Sequence, residues 1–147
     1  MQPTWLSESD HMTHTLSLRV YYEDTDLAGI VYYANYLKFI ERGRSEWVRS
    51  LGLDQAAMKA RGEGVFAVRR VVADYLAPAH FDDLLEVQTT YRSHKAARLV
   101  LRQSVTRAGK TLFEAEVTLV CLADTGRPKP LPQALIDKIG ENPLHKP

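Results

Sequence analysis

An acidic cluster, Glu23-Asp24-Thr25-Asp26, stands between a run of alternating apolar residues and the dipeptide Ala28-Gly29, after which the apolar spacing becomes helical. A carboxylate so placed, Asp26, lies beside the start of a helix, where backbone N–H groups without helical partners point outward. Such donors polarise a carbonyl, and the carboxylate can attack its carbon or activate water against it. The cluster also reads as a cap, because Asp and Thr ahead of a helix commonly accept its first N–H groups. A calcium loop does not fit. Asp24, Asp26 and Gly29 match the first, third and sixth places of an EF-hand, but Ala28 and Asn35 fall where a fifth ligand and a bidentate Glu belong.

Other reactive side chains are set differently. Glu41 and Glu46 are rival carboxylates on a helical segment, among Arg42, Arg44 and Arg49, where pairing along the helix explains them equally well. Tyr91-Arg92-Ser93-His94-Lys95-Ala96-Ala97-Arg98 is a basic stretch between two strand patterns. Its cations suit phosphate groups, and they also suit a solvated or edge-protecting hairpin. The lone thiol, Cys121, alternates with apolar neighbours and reads as a core residue. His11 and His14 are the only close histidines, both towards the N-terminal tail, so no metal site is expected. Neither a G-x-S-x-G elbow nor a Gly-rich phosphate loop is present.

The elements that must position these groups follow from periodicity. Leu16, Leu18, Val20 and Tyr22 alternate with polar or outward residues, which predicts a half-buried strand over Thr15–Tyr22. Tyr36, Ile40, Gly43, Trp47 and Leu51 then step by threes and fours, predicting one face of a helix over Tyr36–Leu51. Gly43 on that face implies close approach to a sheet, and Gly52 supplies a left-handed stop. A short helix is expected over Asp54–Ala60 and strands over Val65–Tyr75, Leu85–Tyr91, Leu99–Val105 and Phe113–Cys121. A last helix is expected around Ala134–Ile139, after Gly126 and three prolines. One strand, one long helix and four further strands define an α+β layout with a mainly antiparallel sheet.

Composition bounds the rest. A chain of 147 residues with 45% hydrophobic and 25% charged content fits one globular domain. We expect residues 1–13 to be an N-terminal tail, 14–140 the domain and 141–147 a C-terminal tail. Nineteen basic against 18 acidic residues gives no field that would favour nucleic acid. No apolar run approaches the ~20 residues of a membrane span, and the first residues lack the apolar centre of a secretory signal. One cysteine suits a reducing compartment, so the expected location is the cytoplasm.

The string D-x-A-G-I-V-x-Y-x-N-Y at Asp26–Tyr36 resembles the signature of the 4-hydroxybenzoyl-CoA thioesterase family of hotdog-fold proteins. R-V-Y-Y-E-D-T-D at Arg19–Asp26 is similar to the Tol–Pal-associated acyl-CoA thioesterases within it. The resemblance implies a curved, mainly antiparallel five-stranded sheet wrapped around one long central helix, in a homodimer or homotetramer. It implies hydrolysis of an acyl thioester to a free acid and coenzyme A, with no cofactor beyond the coenzyme A of the substrate. It makes Asp26 the catalytic carboxylate, as nucleophile or general base, and gives the backbone N–H of Tyr33 the carbonyl oxygen. It sets Gly29 and Tyr22 near the site and Lys95 and Arg98 on coenzyme A, frequently from a neighbouring subunit. An acyl carrier protein is an alternative donor. The chain departs from its nearest relatives at Tyr33, where they commonly carry histidine. A backbone donor survives that exchange, whereas an imidazole acid or base does not. The departure supports a second reading, an acyl-CoA or acyl-carrier-protein binding partner of envelope or lipid machinery with little turnover.

Overall fold

A computed structural model describes residues 13–140. Strand β1 (Thr13–Arg19) leads through a 3₁₀ turn (Tyr22–Asp24) to helix α1 (Asn35–Ser50) and helix α2 (Gln55–Ala60). Strands β2 (Val65–Tyr75), β3 (Leu84–Lys95), β4 (Arg98–Arg107) and β5 (Lys110–Leu122) follow, then helix α3 (Gln133–Gly140). The five strands form one sheet in the order β1-β3-β4-β5-β2, every neighbouring pair antiparallel. Register slips at Val68/Arg70 and Tyr91/Ser93 are bulges of the kind that bend a strand. α1 packs across β1, β3 and β4. This is the hotdog arrangement that the turn string implies.

Burial along α1 explains its placement. Tyr36, Phe39, Ile40, Gly43, Trp47 and Val48 are buried, so the helix lays an apolar stripe on the sheet. Gly43 sits where the backbones come closest: a Cβ there would meet Val87 Cγ1 at 2.6 Å and Thr89 Oγ1 at 3.1 Å. Beside it, the fully buried Gln103 amide donates to the Ile40 carbonyl and to Thr89 Oγ1, each at 2.8 Å. Its oxygen accepts from Arg44 at 3.1 Å. The amide therefore satisfies a polar patch that would otherwise be costly in the core. Gly52, with φ +80°, turns the chain out of α1, and Asp54 caps α2 by accepting the Ala57 N–H at 3.1 Å.

The structure departs from these expectations at both ends of β1. The strand expected to reach Tyr22 ends at Arg19. Beyond it the Tyr21 N–H bonds to Asp24 Oδ2 at 2.8 Å, so a local turn takes the donor that a ladder would have used. Thr13, expected in the tail, is the first residue of β1 and pairs with Thr90, while residues 1–12 and 141–147 lie outside the described ones.

Candidate active site

The acidic turn folds back on itself before the helix begins. Thr25 bridges Val31, and the Asp26 N–H bonds to the Ile30 carbonyl at 2.9 Å. At the tip Asp26 Oδ1 accepts the Ala28 N–H at 2.9 Å and the Asp26 carbonyl accepts the Gly29 N–H at 3.0 Å. Gly29 has φ +79°, a conformation that residues with a Cβ adopt only under strain. Asp26 itself is exposed, as are Leu27 and Ala28. Asp24, by contrast, is buried and structural. Its carbonyl accepts both the Tyr32 N–H and Asn35 Nδ2 at 2.9 Å, which ties the turn to the first residue of α1.

Sequence adjacency alone sets Asp26 beside the helix start. In the fold α1 begins only at Asn35, and the Asp24 carbonyl supplies the link.

The helix start is open. Ala34 stands at the N-cap and no side chain caps it. Among the described residues neither the Tyr33 nor the Ala34 N–H has an acceptor. Donors left free at a helix N-terminus form a ready anion site. A strap formed by residues 76–83, between β2 and β3, braces this region. Ile30 bridges His80, the Val31 N–H bonds to the Ala79 carbonyl at 2.8 Å, and the Phe81 N–H reaches the Gly29 carbonyl at 3.3 Å. The strap is held in turn by the Tyr36 phenol, which accepts the Ala79 N–H at 3.0 Å, and by Asp83, which pairs with Arg107 at 2.7 Å. Burial pushes the Tyr36 phenol above its ordinary value, against the pull of the Ala79 N–H. Burial alone would raise the Asp83 carboxyl, but the His80 N–H and the Arg107 guanidinium hold it below its usual range.

An apolar cleft of about 370 Å³ opens beside the helix start, lined by Ile30, Val31, Tyr33, Tyr36, Tyr75 and the first strap residues. Tyr36 and Tyr75 give it an aromatic wall, backed by the buried Phe113, with the three ring centroids 5.0–5.5 Å apart. Its volume and lining suit a small aliphatic or aromatic group. Periodicity assigns Tyr75 only to a strand. The signal that could have found it is its position, the last residue of an edge strand ahead of Leu76-Ala77-Pro78.

The remaining candidates separate. Tyr22 stacks on Phe81 with centroids 4.2 Å apart and stands largely exposed beside the acidic turn, outside the core. Glu46 pairs with Arg49, and Glu41 accepts from Ser45 at 3.2 Å on the face of α1 towards Phe66 and Val68. Lys95 and Arg98 face each other across the two-residue turn Ala96-Ala97. That turn lies at the end of β3 away from the strap, roughly 35–40 Å along the strand at the usual rise. Cys121 is buried and its thiol is pushed up by that burial. His14 lies in β1, and no group of three His, Cys, Asp or Glu among the described residues is placed to hold a metal ion.

The chain is similar to known proteins over most of its length. The family model described as the thioesterase-like superfamily matches residues 20–139. The acyl-CoA thioester hydrolase YbgC of Escherichia coli is 42% identical over 121 residues, covering 81% of this chain and 90% of that protein. A probable thioesterase from Bartonella henselae superposes with a TM-score of 0.79 at 35% identity, covering 82% of this chain and 99% of the other. A 1,4-dihydroxy-2-naphthoyl-CoA thioesterase from Synechocystis gives 0.81 at 29% identity, with 88% and 96% covered.

Proposed function

The chain belongs to the thioesterase-like superfamily, and we propose that it hydrolyses acyl-CoA thioesters to a free acid and coenzyme A, with Asp26 as the reacting carboxylate. The observation that carries the reading is the pairing of an exposed carboxylate at a braced turn with an uncapped helix start that offers free N–H groups. The thioester carbonyl oxygen takes the N–H of Tyr33, where the charge of the tetrahedral intermediate gathers, and the acyl group enters the aromatic cleft. One such donor typically contributes ~3–4 kcal/mol to transition-state stabilisation. Asp26 either attacks the carbonyl carbon, expelling the coenzyme A thiolate and leaving a mixed anhydride that water then hydrolyses, or takes a proton from water that attacks the carbon itself and displaces the thiolate. Neither route needs a metal. An acyl carrier protein thioester presents the same pantetheine arm and is an alternative donor.

The working form is a homodimer or a pair of dimers. β2 is an edge strand whose outer side is unpaired among the described residues, and it exposes Val68 and Val72. A second chain is also needed for Lys95 or Arg98 to reach the nucleotide end of a coenzyme A bound at Asp26, since β3 holds them apart within one chain. We place the enzyme in the cytoplasm, where a single buried thiol is unremarkable.

The test is thiol release from a panel of short aliphatic, long aliphatic and aromatic acyl-CoAs. Turnover supports the hydrolase and the panel names its acyl class. Tight acyl-CoA binding without turnover replaces it with a binding partner.

A further inference from the structure

Tyr75 ends β2 with its phenol turned onto the backbone that opens α1. The O–H donates to the Tyr33 carbonyl at 2.9 Å. That carbonyl belongs to the peptide unit whose N–H is Ala34's. In a trans peptide the two groups point in opposite directions, so pinning the oxygen fixes the direction of the N–H. Accepting a hydrogen bond at the carbonyl also polarises the amide, which strengthens its N–H as a donor.

An ordinary N-cap side chain would order the peptide entering this turn by accepting the N–H of Tyr36 or Leu37. Here the N-cap is Ala34, which has nothing to offer. The tether from β2 orders the same peptide from its carbonyl side and leaves the N–H groups open. The Tyr75 ring meanwhile packs 5.5 Å from Tyr36 and 5.0 Å from Phe113 and lines the cleft next to Tyr33. Burial and the neighbouring Tyr33 push the Tyr75 phenol above its ordinary value, so it carries its proton at neutral pH.

We infer that Tyr75 is a positioning residue: its phenol orients the peptide between Tyr33 and Ala34 so that the Ala34 N–H joins the Tyr33 N–H of the preceding peptide in meeting the reacting carbonyl oxygen. The inference rests on the hydrolase reading above for its kinetic consequence, and on the hydrogen bond alone for its structural one.

Tyr75→Phe keeps the ring and removes the donor. The expected result is a fall in kcat of about fivefold to tenfold, the effect of one hydrogen bond felt indirectly, with KM changed by less than about twofold. The Ala34 amide nitrogen resonance moves in the same variant while amides of β5 stay in place. Tyr75→Leu, which also removes the ring, additionally raises KM for the acyl group that fits the cleft. An unchanged kcat in Tyr75→Phe, or a rise in KM alone, overturns the inference, as does an Ala34 resonance that does not move. If the unsubstituted protein releases no thiol from any acyl-CoA, the hydrolase reading is what has failed. The Ala34 resonance then decides the positioning role by itself, a shift supporting it and no shift overturning it.

Discussion

The phenol oxygen of Tyr36, one residue into α1, accepts the backbone N–H of Ala79 in the strap at 3.0 Å, with both residues buried. One side chain thereby couples the helix that opens at the candidate oxyanion site to the strap that braces the acidic turn. Tyr36→Phe leaves the ring stack on Phe113 and strands the Ala79 N–H away from water. The expected cost is about 1–3 kcal/mol, read as a lower midpoint in urea with an unchanged slope. A midpoint within experimental error of the unsubstituted protein contradicts the coupling.

Gly43 sets how closely α1 approaches the sheet. Alanine is the better helix former by about 1 kcal/mol, but its Cβ would lie 2.6 Å from the stiff Val87 side chain. Overpacking of this kind typically costs about 1–3 kcal/mol, so the clash outweighs the propensity gain. Gly43→Ala is therefore expected to lower the melting temperature, and Gly43→Ala combined with Val87→Ala to recover part of the loss. A single variant more stable than the parent contradicts the packing argument.

Asp83 gives the strap a pH dependence of known sign. Its carboxyl is held below the ordinary value of 3.8 by the His80 N–H and Arg107, against the upward push of burial. A depressed carboxyl contributes stability that is fully present above the unfolded-state value and lost as pH falls through the folded-state value. Asp83→Asn is thus expected to be less stable than the parent at pH 7, with the gap closing below about pH 4. Denaturation curves at pH 7 and pH 3 check it; a gap that widens towards acid reverses the sign and contradicts the pairing.

These relationships mark where the sequence is legible and where it is not. The span of β2 was read to the residue and α1 to within one at each end, because alternation and threes-and-fours spacing are local signals on half-buried elements. Gly43's close approach was legible for the same reason: a glycine on an apolar face has few other uses. The strap was not. Asp83 meets Arg107 across 24 residues and Tyr36 meets Ala79 across 43, and residues 76–83 carry no period to announce either contact. At Tyr21 and Tyr22 alternation misled, since a side chain three residues on captured the backbone donor. In the candidate site one short string singles out Asp26, Gly29 and Tyr33, whereas Tyr75 enters only through the fold. The sequence has no signal for the distance between the basic hairpin and the acidic turn, which β3 sets by carrying Lys95 to its far end.

If Asp26 does the chemistry, Asp26→Asn abolishes it, because the amide keeps the shape of the side chain and removes its charge. Thiol release should be measured for both proteins on the best acyl-CoA of the panel, with the fold of the variant checked by its melting temperature. The expected result is a loss in kcat of at least about a hundredfold, ~2.7 kcal/mol in activation free energy, from a folded protein that still binds acyl-CoA. A folded Asp26→Asn variant with full activity contradicts the claim and turns attention to Glu41 and Glu46.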